Sequence, residues 1–429
     1  MEAIILAGGK GTRLYPLIRD IPKPMVKIAG KSLLIRQIEF CKNHKIRKIH
    51  ILVYHLSDKI VNEIGDGSYY DLNIIFHKEE KPLGTAGSVK QIEKFLDKEF
   101  LVLYGDVFFD IYLKKALNFF NEKQGLGVLL CHPNNHPFDS DLMEINSDGK
   151  ILNFFPKPRH TNRFYPNMSN AGIYILRKEV LKYVEKNRFL DFGKDVFPSI
   201  IQKKLNLYGY NTSEYISDIG TPKRLLKVNQ DFQNLLPHNR NLKLKQKAVF
   251  IDRDGTLIKY VPYIKKIGDV ELYKKSHEAL KLWQNNNYII IVVTNQPQVA
   301  RGEISIKNVH EMHNKIDTML GKEGVKIDAY YFCPHHPDSG FEGEIKKLKI
   351  KCNCRKPELG LYMKAACDFN IDFSKSIFVG DSTRDIVPSK ILGGKSILLS
   401  TGISGKDKKY EIEPDHYCND LLSAAQMKV

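Results

Sequence analysis

Twice along this chain an apolar run of strand length stops abruptly in a loop rich in glycine or aspartate, first in AIILAGGKGTRL from Ala3 and again in AVFIDRDGTL from Ala248. An apolar run bounded by turn residues, without polar alternation, is the pattern of a strand buried on both faces. Further runs follow each of these. KIHILVY, EFLVLYG and AGIYIL come after the first, and YIIIVVTN, AYYFC, SIFVGD and KSILLS after the second, always separated by helix-like stretches and turns of Gly, Asp and Pro. That alternation predicts two α/β domains, each built on a parallel sheet. A chain of 429 residues with 42% hydrophobic content is also too long for one ordinary core and long enough for two. The expected division is 1–232, a connector at 233–246 where QNLLPHNRNLKLKQ offers little to bury, and 247–429. The two halves show no repeat of one another.

Composition narrows the function classes. The opening residues lack a basic segment before their short apolar run, and no other stretch approaches the roughly 18 uncharged residues that span a bilayer, so a soluble cytoplasmic protein is expected. The excess of 66 Lys and Arg over 49 Asp and Glu, formally +17, is spread through both halves rather than gathered into a stripe. It therefore suits anionic small-molecule substrates and a solvated surface better than nucleic acid. Cys41, Cys131, Cys367 and Cys418 have no framework spacing, which fits a reducing compartment. The other three cysteines do have a pattern. CPHH and CNC place Cys333, His335, Cys352 and Cys354 in two tight pairs, a set of four soft ligands suited to Zn²⁺. Four protein ligands close a tetrahedral site, so the expected role is structural.

In the N-terminal half, Leu6, Ala7, Gly8, Gly9, Gly11 and Thr12 form a loop in which backbone N–H groups can approach a triphosphate, with Arg13 adding a guanidinium. The loop lacks the GK[ST] of a Walker A motif. In IPKPM, Lys23 lies between two prolines that stiffen it for phosphate contact. Together with PLGTAG, LYGD, FPKP, NAGIY and SDIGTP in order, these motifs resemble the sugar-1-phosphate nucleotidylyltransferases over about the first 230 residues. The resemblance implies in-line attack of a sugar 1-phosphate on the α-phosphorus of a nucleoside triphosphate. Such a reaction rests on positioning and charge neutralisation rather than on a nucleophilic side chain. It also implies Mg²⁺ at Asp106 and Asp218, phosphate contacts from Arg13 and Lys23, and nucleoside or sugar contacts from Gly84, Thr85 and Gly87. Lys157 would meet the sugar phosphate, with Asn170 and Gly172 at the sugar. Alone, Asp106 reads as a strand-end cap and Lys157 as a surface lysine; the ordered set is what changes that reading.

In the C-terminal half, Asp252 and Asp254 leave a strand together, and Gly255 permits the turn. Two carboxylates there suit a cation, a nucleophile and a general acid. The spacing and terminal Glu of an EF-hand are absent. With Thr294, Lys356, Asp381 and Asp385 in order, the pattern resembles the haloacid dehalogenase-type phosphatases. That implies an aspartyl phosphate on Asp252 with Asp254 as acid and base. It further implies Mg²⁺ held by Asp252, the Asp254 main chain and Asp381, with Asp385 supporting them. Thr294 and Asn295 would contact the phosphoryl group, and Lys356 would balance its charge. CPHHP followed by CNCRKP, with TNQ and ARG, resembles the heptose bisphosphate phosphatases and their histidinol-phosphate relatives. Arg301 and Arg355 are candidates for the distal part of the substrate.

If one half makes what the other consumes, a bisphosphate 7-phosphatase would deliver a sugar 1-phosphate to the transferase, pointing to a nucleotide-activated heptose with GTP as donor. The alternatives are an unrelated pair of substrates, a non-catalytic sensor of sugar nucleotides, and a nucleic-acid binder. The five intact carboxylates argue against the sensor. An oligomer is compatible with the sequence.

Overall fold

The computed structural model describes residues 1–9, 11–14, 20–160 and 162–427, with Thr12 described in its backbone alone. The chain divides into two compact units. One comprises Met1–His132, Ser140–Arg159 and Met168–Asn241; the other comprises Pro133–Asp139, His160–Asn167 and Leu242–Val429.

The strands of the first unit are β1 (Glu2–Leu6), β2 (Lys27–Ile28), β3 (Lys31–Ser32), β4 (Lys48–Val53), β5 (Asn73–Lys78), β6 (Glu99–Tyr104), β7 (Val107–Asp110) and β8 (Gly127–His132). They continue with β9 (Leu142–Ile145), β10 (Ile151–Phe155), β11 (Ser169–Arg177), β12 (Leu207–Asn211) and β13 (Tyr215–Asp218). The main sheet runs β10-β9-β11-β6-β1-β4-β5, with β8 pairing β11 and β12. Its centre, β6-β1-β4-β5, is parallel. β11 instead runs against β6 and β8, so the first sheet is mixed rather than parallel as the strand runs suggest; apolar runs mark a strand without fixing its direction against its neighbours. Ala3, Ile4 and Ile5 of β1 are fully buried, as expected of a central strand with both faces covered.

In the second unit β14 (Ala248–Ile251), β15 (Ile289–Asn295), β16 (Ala329–Cys333), β17 (Ile377–Gly380), β18 (Lys395–Leu399) and β19 (His416–Cys418) form one sheet, ordered β16-β15-β14-β17-β18-β19. Every pairing in it is parallel. In both sheets the first strand of the unit lies between two later ones that come from opposite directions. This is the topological switch point, beyond whose carboxyl ends ligands bind in such folds.

The residues expected as a connector are ordered. They contain a short helix, Leu236–Arg240, whose successor Asn241 donates from Nδ2 to Asp110 Oδ1 at 2.6 Å. Gln246 is buried and exchanges backbone hydrogen bonds with Asn370 and Asp372. Among the described residues no helix is long and apolar enough to cross a membrane.

Candidate active sites

In the first unit the carboxyl ends of β1, β4, β5 and β6 open onto a cavity of about 450 Å³. Gly8, Gly9 and Gly11 form one wall, Lys23 and Asp106 another, and Gly84 and Thr85 a third. A Cβ at Gly9 would meet nothing within 4 Å, so the loop presents open backbone to the cavity. Lys23 is buried and donates from Nζ to Asp106 Oδ2 at 2.5 Å.

β7 and β13 pair with Asp218 opposite Val107, and Ile219 N–H donates to the Asp106 carbonyl, which brings Asp218 alongside Asp106. Both Asp218 oxygens accept from Arg224 Nη1, at 2.9 and 3.0 Å. Arg13 is exposed and lies beside this pair: a Cβ on Gly220 would sit 3.1 Å from Arg13 Nη2 and 2.7 Å from Asp218 Oδ1. Arg13 and Asp218 are thus neighbours of the cavity wall rather than part of it. The Thr12 side chain lies outside what is described. Leu6 lines the cavity, whereas Ala7 is buried behind it.

Gly87 does not face the cavity. A Cβ there would lie 2.5 Å from the Arg188 carbonyl oxygen, so this glycine lets the helix Gly84–Gln91 pack against the segment that carries Asp191. Thr85 Oγ1 donates to Asp191 Oδ2 at 2.8 Å and also accepts from Phe192 N–H. Asn170, Asp191 and Asp141 converge around Gly193, whose Cβ would be 3.4 to 3.6 Å from each. Lys157 joins them through its backbone N–H, which donates to Asp141 Oδ1 at 3.0 Å, and the Lys157–Pro158 peptide bond is cis. Gly172 is buried next to Tyr104.

Sequence reasoning passed over Asp141 and Asp191, and over Glu79 at the end of β5. Glu79 lines the cavity and burial raises its carboxyl above the ordinary range. Its buried Oε1 has no hydrogen-bond partner among the described residues.

In the second unit a cavity of about 240 Å³ opens at the carboxyl ends of β14, β15 and β17. Asp252 follows β14 directly, and Asp381 follows β17. Single ligand oxygens of Asp252, Asp381 and Asp385 all lie within 4.8 Å of one another, a carboxylate set that fits a hard divalent cation such as Mg²⁺. Burial, and then the neighbouring carboxylates, push the protons of Asp252 and Asp381 toward retention, while Lys356 acts the other way. Lys356, 4% exposed, bridges Asp252 at 2.6 Å and Asp385 at 2.7 Å. Gly255 has φ +88°, and a Cβ there would fall 2.3 Å from Asp381 Oδ2. Only glycine turns the chain that tightly against the carboxylate.

The Asp254 carboxylate lies outside that carboxylate set. It receives the Arg253 fork at 2.9 to 3.2 Å, Gln296 Nε2 at 2.7 Å and Thr294 Oγ1 at 3.3 Å. Arg253 is fully buried and also donates to Gln296 Oε1 at 2.8 Å. Arg253 does not stand out in the sequence, and Gln296 does so only as the last residue of TNQ, with no role assigned to it. Asn295 clasps the backbone of Lys356, accepting from its N–H at 2.9 Å and donating to its carbonyl at 3.1 Å.

Cys333, His335, Cys352 and Cys354 come together at the end of β16, with ligand atoms 3.1 to 3.7 Å apart along five of their edges. Tetrahedral Zn–S bonds of about 2.3 Å imply edges of about 3.8 Å, so the donor set fits a closed four-ligand metal site. Hydrogen bonding from Cys333, then from Cys352 and His335, lowers the Cys354 thiol to about 5 against the effect of burial.

Residues 2–234 match the family described as nucleotidyl transferase. This chain belongs to that family. Residues 247–429 match a second family, described as polynucleotide kinase 3 phosphatase. The nucleotidyl transferase half is 34% identical over 244 residues to the bifunctional protein GlmU of Methanococcus vannielii, covering 55% of this chain and 56% of that protein. It is 31% identical to the mannose-1-phosphate guanyltransferase of Saccharomyces cerevisiae, covering 57% of this chain and 68% of that one. The C-terminal half is 38% identical over 159 residues to the D-glycero-beta-D-manno-heptose-1,7-bisphosphate 7-phosphatase of Haemophilus ducreyi, covering 37% of this chain and 85% of that protein. That half therefore belongs to this relative's phosphatase family. The chain spans a little over half the length of the first GlmU-type relatives it matches. It joins a nucleotidyl transferase domain to a phosphatase domain, both α/β.

Proposed function

We propose that the two domains catalyse consecutive steps in making a nucleotide-activated heptose. Residues 247–429 would remove the 7-phosphate of D-glycero-D-manno-heptose 1,7-bisphosphate. Residues 1–232 would then transfer a nucleotidyl group, GMP from GTP, to heptose 1-phosphate with release of pyrophosphate. The observation that carries the pairing is the heptose bisphosphate 7-phosphatase likeness in the same chain as a nucleotidyl transferase domain. Removal of the 7-phosphate leaves the sugar 1-phosphate that such a transferase accepts.

In the phosphatase site, Asp252 Oδ attacks phosphorus, the bond to the sugar oxygen breaks, and Asp254 supplies that oxygen's proton. Asp254 then takes a proton from water, which attacks the aspartyl phosphate and releases inorganic phosphate. Arg253, Gln296 and Thr294 hold the Asp254 carboxyl in place, and Lys356 offsets charge on Asp252. Mg²⁺ held by Asp252, Asp381 and Asp385 would neutralise the phosphoryl oxygens. Arg301 and Arg355 would hold the distal end of the substrate.

In the transferase site, the Gly8–Gly11 loop and Lys23 would receive the triphosphate. Asp106 and Asp218 would hold Mg²⁺ once Lys23 and Arg224 turn to phosphate, and the Asn170, Asp141 and Asp191 cluster would receive sugar hydroxyls. Guanine is favoured by Glu79, whose unpartnered carboxylate oxygen suits the paired N–H donors of that base's edge. Zn²⁺ at the four-ligand cluster would be structural.

The test offers both anomers of the bisphosphate with a panel of nucleoside triphosphates, following phosphate and pyrophosphate separately; the Haemophilus relative is named for the β anomer. Asp252→Asn should abolish phosphate release alone, and Asp106→Asn only nucleotidyl transfer from pre-formed heptose 1-phosphate. Loss of both activities from either change would defeat the two-site reading, and hydrolysis of neither anomer would defeat the heptose assignment.

A further inference from the structure

Where β15 ends, the chain sets Thr294, Asn295, Gln296 and Gln298 beside the phosphatase cavity, and the first three have a duty inside the protein. Thr294 Oγ1 and Gln296 Nε2 both donate to Asp254 Oδ2, at 3.3 and 2.7 Å. Asn295 clasps the Lys356 backbone. Gln298 differs from them. It lines the cavity and is 4% exposed, yet its buried Oε1 has no hydrogen-bond partner among the described residues.

The backbone beneath Gln298 is tied down. It belongs to the short helix Pro297–Ala300, whose first residue fixes its own φ. The Gln298 carbonyl accepts from Glu303 N–H at 2.9 Å, Ala300 N–H donates to the Pro334 carbonyl at 3.1 Å, and the Ala300 carbonyl accepts from Ile345 N–H at 2.9 Å. A carboxamide still turns readily about its last bond, so Oε1 can meet a donor that enters the cavity.

Carboxylates and cations make up most of the polar lining, and both answer charge on a ligand. Gln298 is neutral. Its unmet atom is an acceptor, and an ionised phosphate ester brings only acceptors, whereas a sugar hydroxyl brings a proton to donate. We infer that Gln298 is a specificity residue of the phosphatase site, accepting through Oε1 a hydrogen bond from one hydroxyl on the substrate's carbon skeleton. A substrate lacking that hydroxyl expels water from the cavity and leaves the buried acceptor unmet, which is how such sites reject deoxygenated analogues. This inference rests on the phosphatase reading and narrows its substrate class to phosphate esters of polyols.

The test uses the full chain with Mg²⁺ and measures kcat/KM for heptose 1,7-bisphosphate and for its singly deoxygenated analogues, one for each free hydroxyl. In the wild type, removal of one particular hydroxyl should lower kcat/KM about tenfold or more. In Gln298→Met, of similar length but without the acceptor, the penalty for that same hydroxyl should shrink to about threefold or less, while the penalties at the other hydroxyls stay as they were. A merely structural role would not single out one hydroxyl. Each penalty is a ratio within one preparation, so partial loss of folded protein cancels. Gln298→Glu keeps an acceptor and should keep the penalty; Gln298→Gly should lose it, and stands in for Gln298→Met should that variant not fold. Penalties that are the same in the wild type, Gln298→Met and Gln298→Gly overturn the inference, as does a wild type that penalises no missing hydroxyl. In either case the phosphatase reading stands if Asp252→Asn still abolishes hydrolysis. Hydrolysis of none of these esters overturns that reading, and the role of Gln298 with it.

Discussion

In the proposed transfer reaction, Glu79 is the residue assigned to base choice. Its neighbour Glu80 is exposed, whereas Glu79 lines the transferase cavity and has a buried oxygen with no partner among the described residues. A carboxylate offers two acceptors and so suits the adjacent N1–H and N2–H donors of guanine; a carboxamide offers one acceptor and one donor, which suits the imide edge of uracil instead. Glu79→Gln should therefore lower kcat/KM for GTP about tenfold or more and raise the relative use of UTP, measured by pyrophosphate release with each nucleotide. An unchanged order of nucleotides would remove Glu79 from base recognition. Adjacent glutamates cannot be told apart from sequence alone, because which one enters the site is set by where β5 ends. Arg253 was hidden for a related reason: it stands between two recognised aspartates, and only burial reveals that its fork holds one of them.

Elements connect such residues to stability. Three neighbouring strands bring Glu2, His50 and His77 into a line, with His50 Nδ1 2.8 Å from His77 Nε2 and His50 Nε2 3.3 Å from Glu2 Oε2. Lys48 also pairs with Glu2, and His77 packs on Phe95. Burial, with help from His50 and Lys48, depresses the His77 imidazole to about 4. A histidine depressed on folding binds more protons unfolded, so its contribution is present above its ordinary value near 6.5 and is lost as pH falls toward 4. The transferase domain should lose stability across that window, and His77→Gln should flatten the slope in pH-dependent thermal unfolding.

The cysteine and histidine loop is the second such element. It carries Arg355 directly after Cys354 and anchors Arg301 through His336. Chelation or Cys352→Ser should release about one Zn²⁺ per chain and lower the phosphatase melting transition by about 6–12 °C, the equivalent of about 3 kcal/mol. KM for the bisphosphate should rise, while nucleotidyl transfer from supplied sugar 1-phosphate should be unaffected. Metal content, calorimetry and the two separate assays check this.

For the whole molecule, two sites in one chain predict an order of events. With the bisphosphate and GTP supplied together, phosphate should appear first and pyrophosphate after a lag, and pre-formed sugar 1-phosphate should abolish the lag. A stopped-time assay of both products tests this, and simultaneous release without a lag would count against free sugar 1-phosphate as the intermediate. The sequence by itself determined the two α/β halves, the Gly8–Gly11 loop, the Asp252 and Asp254 pair and the four soft ligands. Each of these is a local pattern set by strand periodicity or close spacing, with the loop between residues 335 and 352 needed to bring the two ligand pairs together. Tertiary structure alone decided that β11 runs antiparallel into the first sheet, that Gly87 serves packing, and that the Asp254 carboxylate is held by Arg253 and Gln296 away from the Asp252, Asp381 and Asp385 set. It also decided that Arg384 lines one cavity with Arg301 and Arg355. Those relations join residues far apart in sequence through sheet order and burial, which no window of sequence contains.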